Sequence, residues 1–115
     1  MAELLANMID MTYNTFLSLC ADSEECSSFD QYAAECGGRC HEEHAIEILQ
    51  FCWEYGRDRN FAAIHRMSGL SQAAFSRAYQ VPLRCVEDWL HGRRSSPAYV
   101  TDLLAFSVFC NLYCD

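Results

Sequence analysis

The chain has 115 residues and is 51% hydrophobic, which suits one compact domain burying roughly 65% of its unfolded surface. No apolar run approaches the ~20 residues of a membrane span, and the N-terminus lacks the basic start and unbroken apolar stretch of a signal peptide. A soluble, cytoplasmic chain with no membrane partner is therefore expected. The formal net charge of −8 argues against phosphate binding by the molecule as a whole. Its distribution reverses that inference for one half: residues 1–56 hold one Arg and eleven acids, net −10, whereas residues 57–115 hold seven Arg and five acids, net +2. All eight basic residues are Arg, whose planar fork suits phosphates and guanine edges.

An all-helical chain is predicted. Leu4, Leu5, Met8, Met11, Phe16, Leu17 and Cys20 recur at roughly helical spacing, with a break near 10–12 where Thr12 can cap a second start. After the acidic stretch 21–28, Ser28-Phe29-Asp30-Gln31 fits a capping box opening a short helix to Cys36, and Gly37-Gly38 ends it. From 42 to 55, Ala45, Ile48, Leu49 and Cys52 line one face, widened by Ile46 and Trp53. Glu42 and Glu43 favour the positive end of that helix, and Gly56 stands where a helix stop needs a left-handed residue.

Four more short helices follow. One spans about 60–67 with Gly69 after it; the next opens at Ser71 and runs to Tyr79; a third follows Pro82 and stops before Gly92. The last starts at Ser96-Pro97 and is apolar on more than one face, which predicts that it serves both the core and a partner subunit. Helical spacing brings Leu70, Phe75, Val81, Val86, Trp89, Val100, Leu103 and Leu104 into one core.

Gly69-Leu70-Ser71-Gln72-Ala73-Ala74-Phe75-Ser76, Val81-Pro82, Val86-Glu87-Asp88-Trp89, Gly92-Arg93-Arg94 and Pro97 together resemble the Cro and lambda-repressor (Xre-like) helix-turn-helix family. The match covers about half the chain, from about Arg59 to Phe109. Small Ala74 permits a close helix crossing, while Phe75, Val81, Val86 and Trp89 supply a buried wedge. Two residues depart from the pattern. The family's usual Gly or Asn in the turn is Gln80, where a left-handed backbone costs about 1 kcal/mol more than with Gly, leaving the turn open to another conformation. Leu90 stands where the family often has Glu.

The resemblance implies a lambda-repressor-like bundle at 57–115 with an acidic helical N-terminal extension, 1–56, packed on it. It places Ser71 and Gln72 against a DNA phosphate, Leu83, Arg84, Glu87 and Asp88 toward the major groove, and Arg93 and Arg94 as phosphate clamps. Arg84 is the foremost base-reading candidate, since Arg pairs with guanine O6 and N7. Arg66 and Arg77 read as solvated helix charges, Glu87 can instead pair with Arg84 along the helix, and Phe75 and Trp89 read as core.

Eight cysteines would mean a disulfide framework in a secreted chain; here reduced thiols are expected, with Cys52, Cys85 and Cys110 at apolar positions. The sharpest competing chemistry is zinc held by Cys36, Cys40, His41 and His44, with Cys26 as a spare ligand. That spacing matches no recognised finger, and no metal or cofactor is predicted. No nucleophile elbow, phosphate loop or metalloprotease helix is present, so an enzyme is not expected. The reading is a sequence-specific regulator, a repressor of phage or bacterial type, binding double-stranded DNA as a homodimer. The alternative is a protein-binding module on the same scaffold, such as an antitoxin, an anti-CRISPR-like inhibitor or a nucleic-acid mimic. In that case the acidic half meets a toxin or other protein.

Overall fold

A computed structural model describes residues 12–36 and 45–113. The expected stretch through Leu4, Leu5, Met8 and Met11, the Gly37-Gly38 stop, and Cys40, His41, Glu42, Glu43 and His44 lie outside the described residues. Seven α-helices and one 3₁₀ turn account for most of the described residues: α1 (Tyr13–Asp22), the 3₁₀ turn (Ser23–Glu25), α2 (Phe29–Cys36), α3 (Ala45–Arg57), α4 (Phe61–Ser68), α5 (Gln72–Tyr79), α6 (Leu83–Leu90) and α7 (Ala98–Tyr113). The described residues contain no strand, and none of their helices is long and apolar enough to cross a membrane.

Capping side chains set four of the seven described helix starts. Thr12 Oγ1 accepts from Thr15 N–H at 3.1 Å, Asn60 Oδ1 from Ala63 N–H at 2.9 Å and Ser71 Oγ from Ala74 N–H at 3.1 Å, each satisfying a donor that the first helical turn leaves over. Ser28 Oγ accepts from Gln31 N–H at 3.2 Å; the returning bond of this capping box runs from Ser27 N–H, not Ser28, to Gln31 Oε1 at 3.0 Å.

Gly56 corrects the expectation of a helix stop. It lies inside α3, which continues to Arg57. A Cβ there would overlap the Cys20 carbonyl and the Ser23 hydroxyl, so the missing side chain is what lets α3 close on α1. Ser23 Oγ donates to Cys20 O at 2.7 Å in the same contact, and Arg57 Nη1 donates to the carbonyls of Ser23 and Cys26 at 3.2 and 3.0 Å. Ile46, expected to widen the buried face of this helix, is 59% exposed, whereas Trp53 packs against Phe29 and Tyr32 with the Arg57 guanidinium 4.5 Å from its ring.

One hydrophobic cluster runs through both halves. Phe16 of α1 meets Phe51 and Tyr55 of α3 and Phe106 and Phe109 of α7 at centroid separations of 5.1–6.2 Å. Phe61 continues the cluster to Phe75 and Trp89, edge-on to both rings at 5.3 and 5.1 Å. Of the expected core, Phe75, Val81 and Val86 are buried, and Leu70, Trp89, Val100 and Leu104 are partly covered. Leu103 is not core: it is 49% exposed. α7 turns Thr101, Ala105, Val108 and Phe109 inward, and Leu103 lies about 200° around the helix from Thr101.

Candidate nucleic-acid interface

α5 and α6 are joined by the three-residue turn 80–82, and α4 packs against both. Ser76 holds this turn twice: its carbonyl accepts from Val81 N–H at 3.1 Å and its hydroxyl donates to Val81 O at 2.6 Å. Gln80 keeps the left-handed conformation, φ 54° and ψ 40°, despite carrying a side chain. The turn is therefore left-handed at a residue that carries a side chain, and the Ser76 contacts offset the ~1 kcal/mol backbone cost. Beneath the turn, Phe75, Val81 and Val86 are buried and fix the angle between the two helices.

The candidate contact residues separate by exposure. Leu83, 42% exposed, and Arg84 stand out from the first turn of α6, while Glu87 and Asp88 are half-buried further along it. Ser71 is exposed with its hydroxyl engaged in the cap, and Gln72 is half-buried. Arg93 and Arg94 diverge. Arg93 Nε lies 3.6 Å from Asp88 Oδ1, and the backbone N–H groups of both arginines donate to Asp88 O, at 2.9 and 3.3 Å. Asp88 thereby organises the loop after α6 and is only 14% exposed, so Leu83 and Arg84 are the outward side chains of this helix's start. Arg94 instead lines a cleft on the other side of the loop.

No pattern in the sequence points to that cleft. It has a volume of about 370 Å³ and lies between the start of α4, the end of α6 and the start of α7. Tyr55, fully buried, donates its hydroxyl to Asp102 Oδ1 at 2.5 Å there. Burial first, then the hydrogen bond and charge of Asp102, push the phenol well above its ordinary range and keep it a donor. The two residues are 47 positions apart, so no local pattern pairs them.

The thiols divide by burial. Cys20, Cys26, Cys36 and Cys52 are buried and Cys85 and Cys110 partly so, whereas Cys40, His41 and His44 lie outside the described residues. Cys26 Sγ donates to Glu35 Oε2 at 3.4 Å; burial, and then Glu35, push that thiol up and keep it protonated. Among the described residues no three His, Cys, Asp or Glu side chains gather as a metal site. Compared with models of protein families, with curated proteins and with solved structures, the chain matches none.

Proposed function

We propose that the chain is a sequence-specific DNA-binding regulator, a repressor of the Cro and lambda-repressor type, that inserts α6 into the major groove. The observation that carries this reading is the division of α6. Val86 is buried, so the helix has a fixed seat, and Leu83 and Arg84 project from its first turn, where side chains of a recognition helix meet base edges. The start of α5, with Ser71 and Gln72, is the phosphate-facing end in this reading, and Arg93 flanks the far end, whereas Arg94 lines the cleft.

Charge placement supports it. α1 and α2 pack mainly on α3, and α1 also on α7, while α6 packs on α4 and α5, so the acidic half and Arg84 belong to differently packed parts of the fold. Carboxylates in that other part repel DNA less than carboxylates around the reading helix. Tyr99 and Leu103, one turn apart and exposed on α7, supply the apolar surface for a homodimer.

The second reading, a protein-binding module on the same scaffold, is favoured by one observation: Glu24, Glu25, Asp30, Glu35 and Glu47 are exposed on the acidic half, giving an opposing surface suited to a basic protein partner. Selection of bound duplexes from a random pool, using the intact chain, separates the two. The regulator enriches a palindrome whose half-sites lie about 10 base pairs apart. Recovery of no preferred sequence at low salt rejects it in favour of the protein-binding module.

A further inference from the structure

We propose that the cleft between the starts of α4 and α7 and the end of α6 binds a small organic anion bearing a planar ring, with Arg59 and Arg94 holding the anionic group and Trp89 receiving the ring. The inference does not depend on DNA binding. At about 370 Å³ the cleft falls within the 300–1,000 Å³ range of small-molecule sites, with room for a molecule of nucleotide size.

Its lining has the two kinds of group that such a ligand needs. Arg59 and Arg94 both border the cleft, and neither has an ion-pair partner among the described residues, in contrast to Arg93 on Asp88. Asp102 contributes one negative charge to the same lining, so the cleft remains net positive and selects an anion. That carboxylate is itself held by the buried Tyr55 hydroxyl, which makes it a fixed acceptor for a ligand hydroxyl or amine. Trp89 is only half-buried: Phe61 packs on it at 66°, and the ring also borders the cleft, where stacking by a planar group would cover more of it.

Phosphate chemistry can reach two guanidinium groups from a free nucleotide or from a DNA backbone. Only the free molecule brings an unpaired ring for Trp89, and this separates the sources. The test is a titration of the ¹⁵N-labelled intact chain, following the indole N–H signals of Trp89 and Trp53; the latter lies in another part of the fold, against Phe29 and Tyr32. Adenosine monophosphate is expected to move the Trp89 signal and leave Trp53 in place, with a dissociation constant below about 1 mM. Inorganic phosphate and adenosine, each lacking one of the two recognition elements, should bind about tenfold more weakly or worse.

Arg59→Gln and Arg94→Gln should each weaken the nucleotide about tenfold, and Arg66→Gln should leave it unchanged. All three side chains are exposed, so the variants retain the fold. The proposal is overturned by a Trp89 signal that ignores the nucleotide at millimolar concentration, by binding indifferent to both arginine substitutions, or by adenosine binding as tightly as its monophosphate. A random-sequence duplex that moves Trp89 when the nucleotide does not would overturn it too, by assigning the cleft to the DNA surface.

Discussion

The α1, α3 and α7 region and the α5–α6 pair are built on opposite terms. In the first, Phe16, Leu19, Tyr55 and Phe109 are fully buried, and a glycine brings two backbones into contact. In the second, each helix has a single fully buried anchor, Phe75 or Val86, and the remaining side chains are partly or wholly exposed. Eight-residue helices of this kind cannot hold themselves in water; their stability comes from packing. The large aromatic core therefore acts as the buttress, and the α5–α6 pair presents a surface. Since Phe109 of α7 packs on Phe16 of α1, the acidic half is part of that buttress and not an appendage.

The sharpest way to break this comparison is Phe16→Ala, which removes a ring touching four others. It should cost about 3–5 kcal/mol in chemical denaturation, and α5 and α6 should unfold with the rest. Separate transitions would show that the pair does not depend on the aromatic core. Gly56→Ala should cost about 3 kcal/mol by forcing α3 off α1, an overpacking effect that a glycine used only as a stop would not show.

Alkaline pH sharpens the comparison further. Tyr55 titrates in the folded chain well above its ordinary value of 10.0, so the unfolded chain loses that proton first as pH rises. Stability from this group is complete below pH 10 and falls above it, and Tyr113, raised mainly by burial, acts in the same direction. Denaturation midpoints between pH 8 and about 11 should fall less steeply for Tyr55→Phe than for the unaltered chain. The smallest effect belongs to the presenting pair: Gln80→Gly should stabilise by about 1 kcal/mol by relieving a left-handed side-chain-bearing residue. A loss of stability there would mean that the Gln80 side chain makes a contact that matters.

Capping residues make the second half legible. Asn60, Ser71 and Pro82 mark helix starts and Gly69 a helix end, because each works through its own backbone neighbours. What stays hidden depends on partners distant in the chain. A glycine that permits a left-handed turn and one that permits close approach look alike, so Gly56 reads as a stop until α1 is seen against it. α7 is apolar on more than one face, so its sequence cannot say that Leu103 faces out while Val108 faces in. Arg84 and Leu83 are legible as outward residues through the family resemblance, whereas Asp88, which the resemblance groups with them, instead holds Arg93. The cleft, which joins Tyr55, Arg59, Trp89 and Asp102, has no local signature at all.

The presenting role of α6 is tested most directly by fluorescence anisotropy of the intact chain on its selected duplex over a salt series, comparing Arg84→Ala with Arg93→Ala. Arg84→Ala should weaken the selected sequence by about 1–3 kcal/mol and relax preference at one base pair, because a paired contact to a base edge is lost. Arg93→Ala should lower affinity about equally for all sequences and make the salt dependence shallower, because a phosphate contact carries no sequence information. If the chain selects no sequence at low salt, and neither substitution changes its residual binding, α6 does not read DNA and the regulator reading is contradicted.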